Sequence, residues 1–453
     1  MEVVRKKILI VGFGKSGISI ARYYSKQGVE ITIGDIKKEE DIDKSLLEEA
    51  RRMNIHLELG EHRTETFIGS DEIVVSPGVP LELEPLKIAR DRGVPVIGEM
   101  ELATRVIDTP MIAVTGTNGK TTVVSLISKM LKNSGLKVFT GGNIGTPLID
   151  YAAGRRDADY VVVEVSSFQL DSMRAFSPYI SILLNISPDH LDRYPDYEAY
   201  VRSKLTIFRE QKKGQYAILN DSDERLSQID PKGTVTFLRY GLEKKEGRNA
   251  YLIGKKLIVT IPGKEEYEFN TGNFKLAGIH NLENIMGTIL AGMVMDILPE
   301  TIKKSIEDFE GLPHRMEVIG KIQDVIFIND SKATNVDAAK RAIESLDRNV
   351  ILIGGGRDKG GDYAPLVNIS RGRVKKAIFL GEARALMANA FKGNIPFSLA
   401  ESMEDAVNQA FTSAGKGDVV LLAPACSSFD MFNDYLERGT VFREAVEKLK
   451  NAG

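Results

Sequence analysis

The chain has 453 residues, of which 43% are hydrophobic and 27% charged, with a formal net charge of −3 and a single cysteine. This length exceeds one ordinary core and predicts two or three domains. The near-neutral charge excludes a general electrostatic attraction to nucleic acid or to anionic membranes. Cys426 alone cannot form an intramolecular disulfide, and no apolar run reaches bilayer length, so we expect a cytoplasmic protein.

Apolar runs alternate with Gly/Asp/Ser loops and helical stretches along the whole chain, a pattern that predicts parallel α/β sheets. It appears three times with different loop chemistry. We therefore predict a Rossmann-like domain at residues 1–98, a central P-loop ATPase-type domain with a parallel sheet at 99–312, and a second Rossmann-like domain at 313–453. Residues 213–275 are rich in short strands and turns and predict a small antiparallel addition to the central domain.

The first block opens with a predicted strand at residues 8–11, a glycine turn and a helix through residue 27. Glycines at positions 12, 14 and 17, with Asp35 about twenty residues later, match the dinucleotide-binding fingerprint. From the residues alone this block could bind a dinucleotide, another nucleotide or none.

The central block carries the most informative segment, VTGTNGKTT at residues 114–122. A predicted strand precedes it and a predicted helix at residues 123–131 follows it. Backbone N–H groups and the helix dipole at such a turn bind polyphosphate, Lys120 adds a positive charge, and Thr121 would place a hydroxyl on Mg²⁺. Val114 stands where the longer P-loop pattern has its first glycine, so this is the shorter G-x-x-G-K-T form.

Two further strands of this block end in polar residues. Glu164 lies near the end of the strand predicted at residues 160–165, and His190 follows the one predicted at 180–184. Ligands of open α/β sheets collect at this edge, and a carboxylate with an imidazole suits Mg²⁺ or Mn²⁺. Lys204, on a predicted helix soon afterwards, is on its own typical of a solvated surface lysine.

In the third block, polar and cationic loops follow successive predicted strands. Lys332, Thr334, Lys359 and Ser428 are typical of a carboxylate-binding set. Without a basic stripe or interleaved aromatic residues, they do not indicate nucleic-acid binding.

Together these segments resemble the Mur ligase family over essentially the whole chain. The segments that carry the resemblance are GTNGKTT (116–122), GGNIG (141–145), EVSSFQLD (164–171), DHLDRYP (189–195), SKLTIF (203–208), HNLEN (280–284), GLPHRME (311–317), NDSKATN (329–335) and PACSSFD (424–430). The motifs SSFQLD, PHRMEV, NDSKATN and PACSSFD point to the D-glutamate-adding branch.

The resemblance implies an ATP- and Mg²⁺-dependent ligase of peptidoglycan precursor synthesis in the cytoplasm. ATP would phosphorylate the alanyl carboxylate of UDP-N-acetylmuramoyl-L-alanine, and the amine of D-glutamate would attack the acyl phosphate. Its partners would be these small molecules, with no nucleic acid or membrane. We expect a monomer that closes by hinge motion.

Site residues also follow from the resemblance, position by position. The catalytic residues would be Lys120, Glu164, His190, Lys204 and Arg315. The ATP contacts would be Gly116, Thr117, Asn118, Gly119, Lys120, Thr121, Thr122, Asn281, Asn284, Arg315 and Asp330. The substrate contacts would be Lys15, Ser16, Asp35, Asn143, Ser166, Thr334, Lys359, Ser428 and Phe429. The metal-site residues would be Thr121, Glu164, His190 and Lys204, with Lys204 carbamylated instead of solvated.

Three alternatives stay open at this point. One is another amide ligase of the same superfamily with a different amino acid or acceptor. The others are an NAD-dependent oxidoreductase that uses the N-terminal glycine fingerprint and a nucleotide-gated binding protein. Sequence cannot decide between D and L amino acids, because chirality is recognised by pocket geometry.

Overall fold

The computed structural model describes residues 5–229, 234–276, 278–346 and 349–452. The strands are β1 (Lys7–Val11), β2 (Glu30–Asp35), β3 (His56–Leu59), β4 (Glu72–Val75), β5 (Val96–Gly98), β6 (Met111–Thr115), β7 (Val138–Gly142), β8 (Tyr160–Glu164), β9 (Ile180–Leu183), β10 (Tyr216–Asn220), β11 (Thr236–Tyr240), β12 (Ala250–Ile253), β13 (Lys256–Val259), β14 (Tyr267–Asn270), β15 (Glu317–Ile322), β16 (Val325–Asn329), β17 (Val350–Gly355), β18 (Val374–Leu380), β19 (Phe397–Leu399) and β20 (Val419–Ala425).

The α-helices are α1 (Lys15–Ser25), α2 (Lys44–Arg52), α3 (Thr64–Ile68), α4 (Glu84–Asp91), α5 (Glu99–Thr104), α6 (Lys120–Asn133), α7 (Leu148–Ala153), α8 (Ser167–Asp171), α9 (Tyr197–Leu205), α10 (Glu224–Ser227), α11 (Ile279–Val294), α12 (Pro299–Glu307), α13 (Val336–Glu344), α14 (Ala364–Ser370), α15 (Arg384–Phe391), α16 (Met403–Ser413) and α17 (Tyr435–Ala452). Short 3-10 turns lie at Glu39–Asp41, Thr206–Phe208 and Thr271–Asn273. Among the described residues, none of the helices has the length and apolar character needed to cross a bilayer.

The N-terminal sheet has the parallel strand order β3-β2-β1-β4-β5. The apolar residues of β1 and β4 are buried because helices cover both faces of the sheet. Strand order reverses between β1 and β4, which is where open α/β sheets form a ligand crevice beyond the carboxyl ends of their strands. The glycine turn after β1 and Asp35 at the end of β2 both lie at this edge.

The central sheet has the order β14-β13-β12-β11-β10-β9-β6-β8-β7. The phosphate loop follows β6, at the middle of its parallel part. The predicted antiparallel addition at residues 213–275 is only partly right. Strands β10 and β11 extend the main sheet in parallel, since α10 separates them and allows a crossover; only β12, β13 and β14 pair antiparallel.

The C-terminal sheet has the order β15-β16-β20-β17-β18-β19 and is parallel except for β15, an antiparallel edge strand that the sequence pattern did not predict. The loops after β16, β17 and β20 leave neighbouring strands at one edge. The three predicted α/β domains are confirmed as a three-sheet architecture, whereas the exact boundaries at residues 98 and 312 stay predictions.

The two junctions between domains differ in character. At the first, one apolar core contains Ile10 and Ile33 of the N-terminal sheet together with Leu102 and Ile149 of helices α5 and α7. At the second, the central and C-terminal domains meet through polar side chains, described below. An apolar junction holds its partners in one arrangement, whereas a polar junction can open into water, so hinge motion is expected at the second.

Candidate active site

The phosphate loop connects β6 to α6, and the helix begins at Lys120, three residues before the predicted start at residue 123. Gly119 is the residue before α6 and has a φ of 88°, a left-handed conformation that favours glycine. A Cβ at this position would also overlap the Asn284 side chain. No side chain caps this helix end, so its first N–H groups are available to an anion.

Two lysine side chains converge on the same loop. Lys120 Nζ donates to the carbonyl oxygens of Gly116 (2.8 Å) and Thr117 (2.9 Å), and Lys204 Nζ donates to Gly116 O at 2.9 Å. Burial lowers the pKa of Lys120, although Glu164 and Asp189 oppose that effect. Both lysine side chains are therefore held at the loop where polyphosphate would bind.

Glu164 is the acidic group beside the loop. Its side chain accepts hydrogen bonds from Thr121 Oγ1 at 2.8 Å and from Asn143 Nδ2 at 2.9 Å, and the residue is only 2% exposed. Burial raises its pKa, but the charges of Lys120 and Lys332 and the hydrogen bonds from Asn143 and Thr121 together outweigh burial, so the pKa lies below its ordinary value. An ionised carboxylate thus touches the hydroxyl predicted to bind Mg²⁺.

His190 lies on the next loop of the same sheet edge. Its ring packs edge-on against Phe168, with centroids 4.8 Å apart, and its Nε2 is 3.8 Å from Asp189 Oδ2. Burial lowers the pKa of His190 to about 4, against an opposing effect of Asp189. The imidazole is therefore neutral at neutral pH and has a lone pair for a metal ion or a proton.

Lys204 corrects the interpretation drawn from its residue type alone. It is 2% exposed, and its ammonium lies 4.7 Å from the centroid of the buried Tyr200 ring. Burial lowers its pKa well below the ordinary value, and the Lys120 charge lowers it further. The sequence contains one signal of this burial: Lys204 follows Tyr200 by four residues, which places both side chains on the same face of a helix.

The C-terminal domain contributes several ionisable side chains to the site. Lys332 Nζ lies 3.8 Å from the centroid of the Tyr435 ring, and burial together with Arg315 lowers the pKa of Lys332 to about 7. Burial raises the pKa of Asp330 to about 7, with Arg315 opposing. Lys359 Nζ is 3.2 Å from Asp189 Oδ1 and bridges to the central domain.

A cavity of about 430 Å³ joins these groups. The predicted residues that line it are Thr117, Asn118, Gly119, Lys120, Thr121, Asn143, Glu164, Ser166, His190, Lys204, Arg315, Thr334, Lys359, Ser428 and Phe429. The phosphate loop and the loops of the C-terminal domain therefore face one shared space.

Two more cavities adjoin the first through shared lining residues. A cavity of about 100 Å³ shares Asn118, Gly119 and Arg315 with it and contains the remaining predicted ATP contacts, which are Thr122, Asn281, Asn284 and Asp330. A cavity of about 680 Å³ shares Asn143 and contains the predicted residues Lys15, Ser16 and Asp35. Gly116 lines none of these cavities and instead supplies the carbonyl that holds both lysines.

In the N-terminal cavity, Asp35 organises the glycine turn. Its carboxylate accepts the backbone N–H groups of Phe13 (2.7 Å) and Lys37 (2.9 Å). Helix α1 begins after Gly14 without a side-chain cap, and a Cβ on Gly17 would overlap the Gly12 carbonyl. The turn thus offers free backbone donors and close access to an anion.

Three residues absent from the predicted site connect the central and C-terminal domains. Asn335 Nδ2 donates to Asp189 Oδ2 at 2.9 Å. Asp337 accepts from Asn118 Nδ2 at 3.0 Å and from Ser187 Oγ at 3.1 Å. Asp189 and Asn335 belong to the motifs quoted above, but nothing in the local sequence indicates these partners.

Comparison with known proteins identifies the family. Three family models match almost end to end: the Mur ligase MurD-like N-terminal domain at residues 6–98, the Mur ligase middle domain at 114–292 and the Mur ligase glutamate ligase domain at 314–426. The chain belongs to the Mur ligase family. Within the family, it is 43% identical to the UDP-N-acetylmuramoylalanine–D-glutamate ligase of Desulfosudis oleivorans, covering 99% of this chain and 98% of that one. The enzyme of that name from Geotalea daltonii is 42% identical, with 99% of each covered.

Two solved ligase structures have the same fold. A pseudomurein peptide ligase type C from Methanothermus fervidus matches with a TM-score of 0.63 at 22% identity, covering 98% of this chain and all of that one. MurF ligase from Thermotoga maritima, in complex with ADP, matches with a TM-score of 0.62 at 16% identity, covering 99% of each.

The residues beside the phosphate loop offer a mixed set of donors for a divalent cation. Within the part of the chain that the structure describes, no group of three or more His, Cys, Asp and Glu side chains forms a metal cluster. The ionised Glu164, the Thr121 hydroxyl bonded to it and the neutral His190 are nevertheless donors that fit a divalent cation.

Proposed function

We propose that this protein is an ATP-dependent ligase that joins D-glutamate to the alanyl carboxyl group of UDP-N-acetylmuramoyl-L-alanine. The observation that carries the proposal is the single cavity that the phosphate loop shares with the hydroxyl and cationic residues of the C-terminal domain. The relatives at 43% and 42% identity are named for these two substrates.

The reaction requires activation because a carboxylate is a poor acyl donor. Transfer of the γ-phosphoryl group to a carboxylate oxygen gives an acyl phosphate and ADP. The amine of D-glutamate then attacks the acyl carbon, forming a C–N bond; the C–O bond breaks, inorganic phosphate leaves and the amine loses a proton. Enclosure between domains excludes water and raises the effective concentration of the amine.

The residues around the phosphate loop have distinct roles in this proposal. Lys120 and the first turn of α6 hold the transferred phosphoryl group and offset its charge. Thr121, Glu164 and His190 would hold Mg²⁺, which when bound supplies positive charge to the phosphate oxygens. Arg315 lines both the 430 Å³ and the 100 Å³ cavity, so it can span the nucleotide and the reacting group.

Lys204 is proposed to carry a carbamate. A neutral lysine amine adds CO₂ and loses a proton, giving a carboxylate-like group, and the lowered pKa of this buried lysine favours that neutral form. The carbamate would join Thr121, Glu164 and His190 as a fourth metal-site group. Incubation with ¹³C-labelled bicarbonate should give a carbamate signal in the native chain and none in Lys204→Arg; no signal in the native chain would contradict the modification.

The amino acid is proposed to bind on the C-terminal side of the cavity. Ser428 and the exposed Phe429 both line the cavity, so a hydroxyl residue and an aromatic ring lie side by side on its wall. Lys359 pairs with Asp189 in this structure, and a carboxylate of D-glutamate would compete for the same ammonium group. Thr334 offers a second hydroxyl to that carboxylate.

We also propose domain limits of 1–98, 99–312 and 313–453, a monomeric state and a cytoplasmic location, where ATP is available. The placement of each sheet within one of these ranges supports the limits.

A panel of amino acids with ATP and UDP-N-acetylmuramoyl-L-alanine tests the function. Phosphate release should require both the acceptor and an amino acid, and only D-glutamate should give robust turnover. Comparable rates with L-glutamate or L-lysine would refute the specific assignment and leave the ligase class standing. Phosphate release without either substrate would indicate a simple nucleotide hydrolase.

A further inference from the structure

His62 is a residue of the N-terminal cavity to which none of the roles above is assigned. It lies in the loop between β3 and α3, after the positive-φ Gly60, and lines the 680 Å³ cavity together with Lys15, Ser16 and Asp35. It is half-buried. A polar ring on the wall of a cavity for a nucleotide is a candidate for recognition of the base.

Packing fixes the position of the ring. The His62 ring meets Phe67 edge-on, with centroids 5.5 Å apart and planes at 74°. On its other side it approaches β2 where Gly34 has no side chain; a Cβ there would lie 3.8 Å from His62 Nδ1. The Nδ1 atom is buried and has no hydrogen-bond partner among the described residues.

This environment determines which ring nitrogen carries the proton. Burial lowers the pKa of His62, while Asp35 and Glu58 oppose that effect, so the ring is neutral at neutral pH. A neutral imidazole has one N–H, and on Nδ1 that donor would be buried without an acceptor, which is unfavourable. The proton therefore resides on Nε2, the other polar atom of a ring that lines the cavity.

The neighbouring polar groups of the cavity have other partners. Both oxygens of Asp35 accept backbone N–H groups, one from Phe13 and one from Lys37. Lys15 and the uncapped start of α1 suit phosphate groups. A carbonyl oxygen of a pyrimidine base accepts a hydrogen bond, and the Nε2–H of His62 is a neutral donor that can supply it.

We infer that His62 is a specificity residue for the nucleobase of the acceptor, with its Nε2–H donating to a ring carbonyl of uracil. This inference rests on the proposed function, which places a uridylated acceptor in this cavity. Cytosine has an amino group where uracil has its O4 carbonyl, so a donor at this position favours uracil and disfavours cytosine.

Two substitutions separate recognition from packing. His62→Gln places an amide N–H₂ near the position of Nε2 and keeps the donor. His62→Phe keeps an aromatic ring against Phe67 and removes the donor. Thermal unfolding followed by circular dichroism checks that both variants fold like the native chain.

Calorimetric titration of the full chain with UDP and with CDP tests the inference. The native chain and His62→Gln should prefer UDP, whereas His62→Phe should lose about tenfold in UDP affinity, the size of one hydrogen bond, with CDP unchanged. In turnover assays the KM for the uridylated acceptor should rise similarly, with kcat and the KM for ATP unchanged.

Each other outcome overturns the inference. If His62→Phe still catalyses ligation and binds UDP as tightly as the native chain does, the inference is wrong while the proposed function stands. The same holds if His62→Phe loses affinity for UDP and CDP equally. It also holds if His62→Gln binds UDP as weakly as His62→Phe does. If the native chain does not bind UDP, both this inference and the uridylated acceptor of the proposed function are wrong.

Discussion

Replacing Asp337 with alanine should open the junction between the central and C-terminal domains. Asp337 lies in the first turn of α13 and accepts hydrogen bonds from Asn118 of the phosphate loop (3.0 Å) and Ser187 (3.1 Å), both in the central domain. Within its own helix it also accepts from Arg341 Nε at 2.9 Å. Asp337 thus connects the nucleotide-binding loop directly to the domain proposed to present the amino acid.

The magnitude follows from the bonds that cross the junction. A hydrogen bond to a charged group contributes about 1.5–3 kcal/mol when protected from solvent. The Asp337 side chain is 19% exposed, so water replaces part of each bond. We take about 1 kcal/mol for each of the two interdomain bonds, or about 2 kcal/mol in all, which lowers the ratio of closed to open molecules about 30-fold.

Steady-state kinetics with D-glutamate as the varied substrate measures this effect. We expect kcat/KM for D-glutamate to fall about 30-fold in Asp337→Ala, with UDP affinity unchanged, because UDP binds in the N-terminal domain. Glu344→Ala is the matched control: it removes an acid from the same helix whose ion pair, with Lys340, is local and partly exposed. If Asp337→Ala behaves like Glu344→Ala, the polar junction does not govern closure.

Three further predictions concern the loop, the two nucleotide sites and stability. Gly119→Ala should lower ATP affinity at least about tenfold in equilibrium dialysis, because alanine is strained at a φ of 88° and overlaps Asn284; native affinity would contradict this. Lys120→Ala should abolish turnover, whereas Asp35→Ala should mainly weaken binding of the uridylated acceptor. An equal loss of ATP binding in both variants would contradict the assignment of ATP to the central domain and of the acceptor to the N-terminal domain. Burial raises the pKa of Glu99 to about 7, above its unfolded value, so its contribution to stability is present at low pH and is lost as pH rises towards and through 7. Urea unfolding followed by circular dichroism should therefore show a smaller loss of stability between about pH 5 and pH 8 in Glu99→Gln than in the native chain, and identical pH profiles would refute the raised pKa.

Local patterns in the sequence predicted the features that depend on local geometry. The strand, glycine turn and helix around Gly119 were located within a few residues, because the glycine positions and the change from strand to helix periodicity are visible in the chain. Glu164 and His190 were placed at one sheet edge by the rule that parallel strands end together. The structure brings both beside the loop.

Features that depend on tertiary contacts were not predictable in this way. From its residue type alone Lys204 was interpreted as solvated, and only the family resemblance indicated a site role; its burial follows from how α9 packs onto the phosphate loop. Strands β10 and β11 were expected to pair antiparallel, because turn density does not reveal which strand a chain segment will join. Asn335 caps helix α13 in the structure, and its bond to Asp189, 146 positions away, cannot be read from the sequence.

The account depends most on direct activation of a carboxyl group by ATP in the shared cavity. Isotope transfer tests this claim: the acceptor is prepared with ¹⁸O in its alanyl carboxylate, and the phosphate released during ligation is analysed by mass spectrometry. An acyl phosphate requires one carboxylate oxygen to leave with phosphate, so we predict phosphate that carries one ¹⁸O atom when both carboxylate oxygens are labelled. Unlabelled phosphate, released at the same rate as the amide forms, would contradict the mechanism.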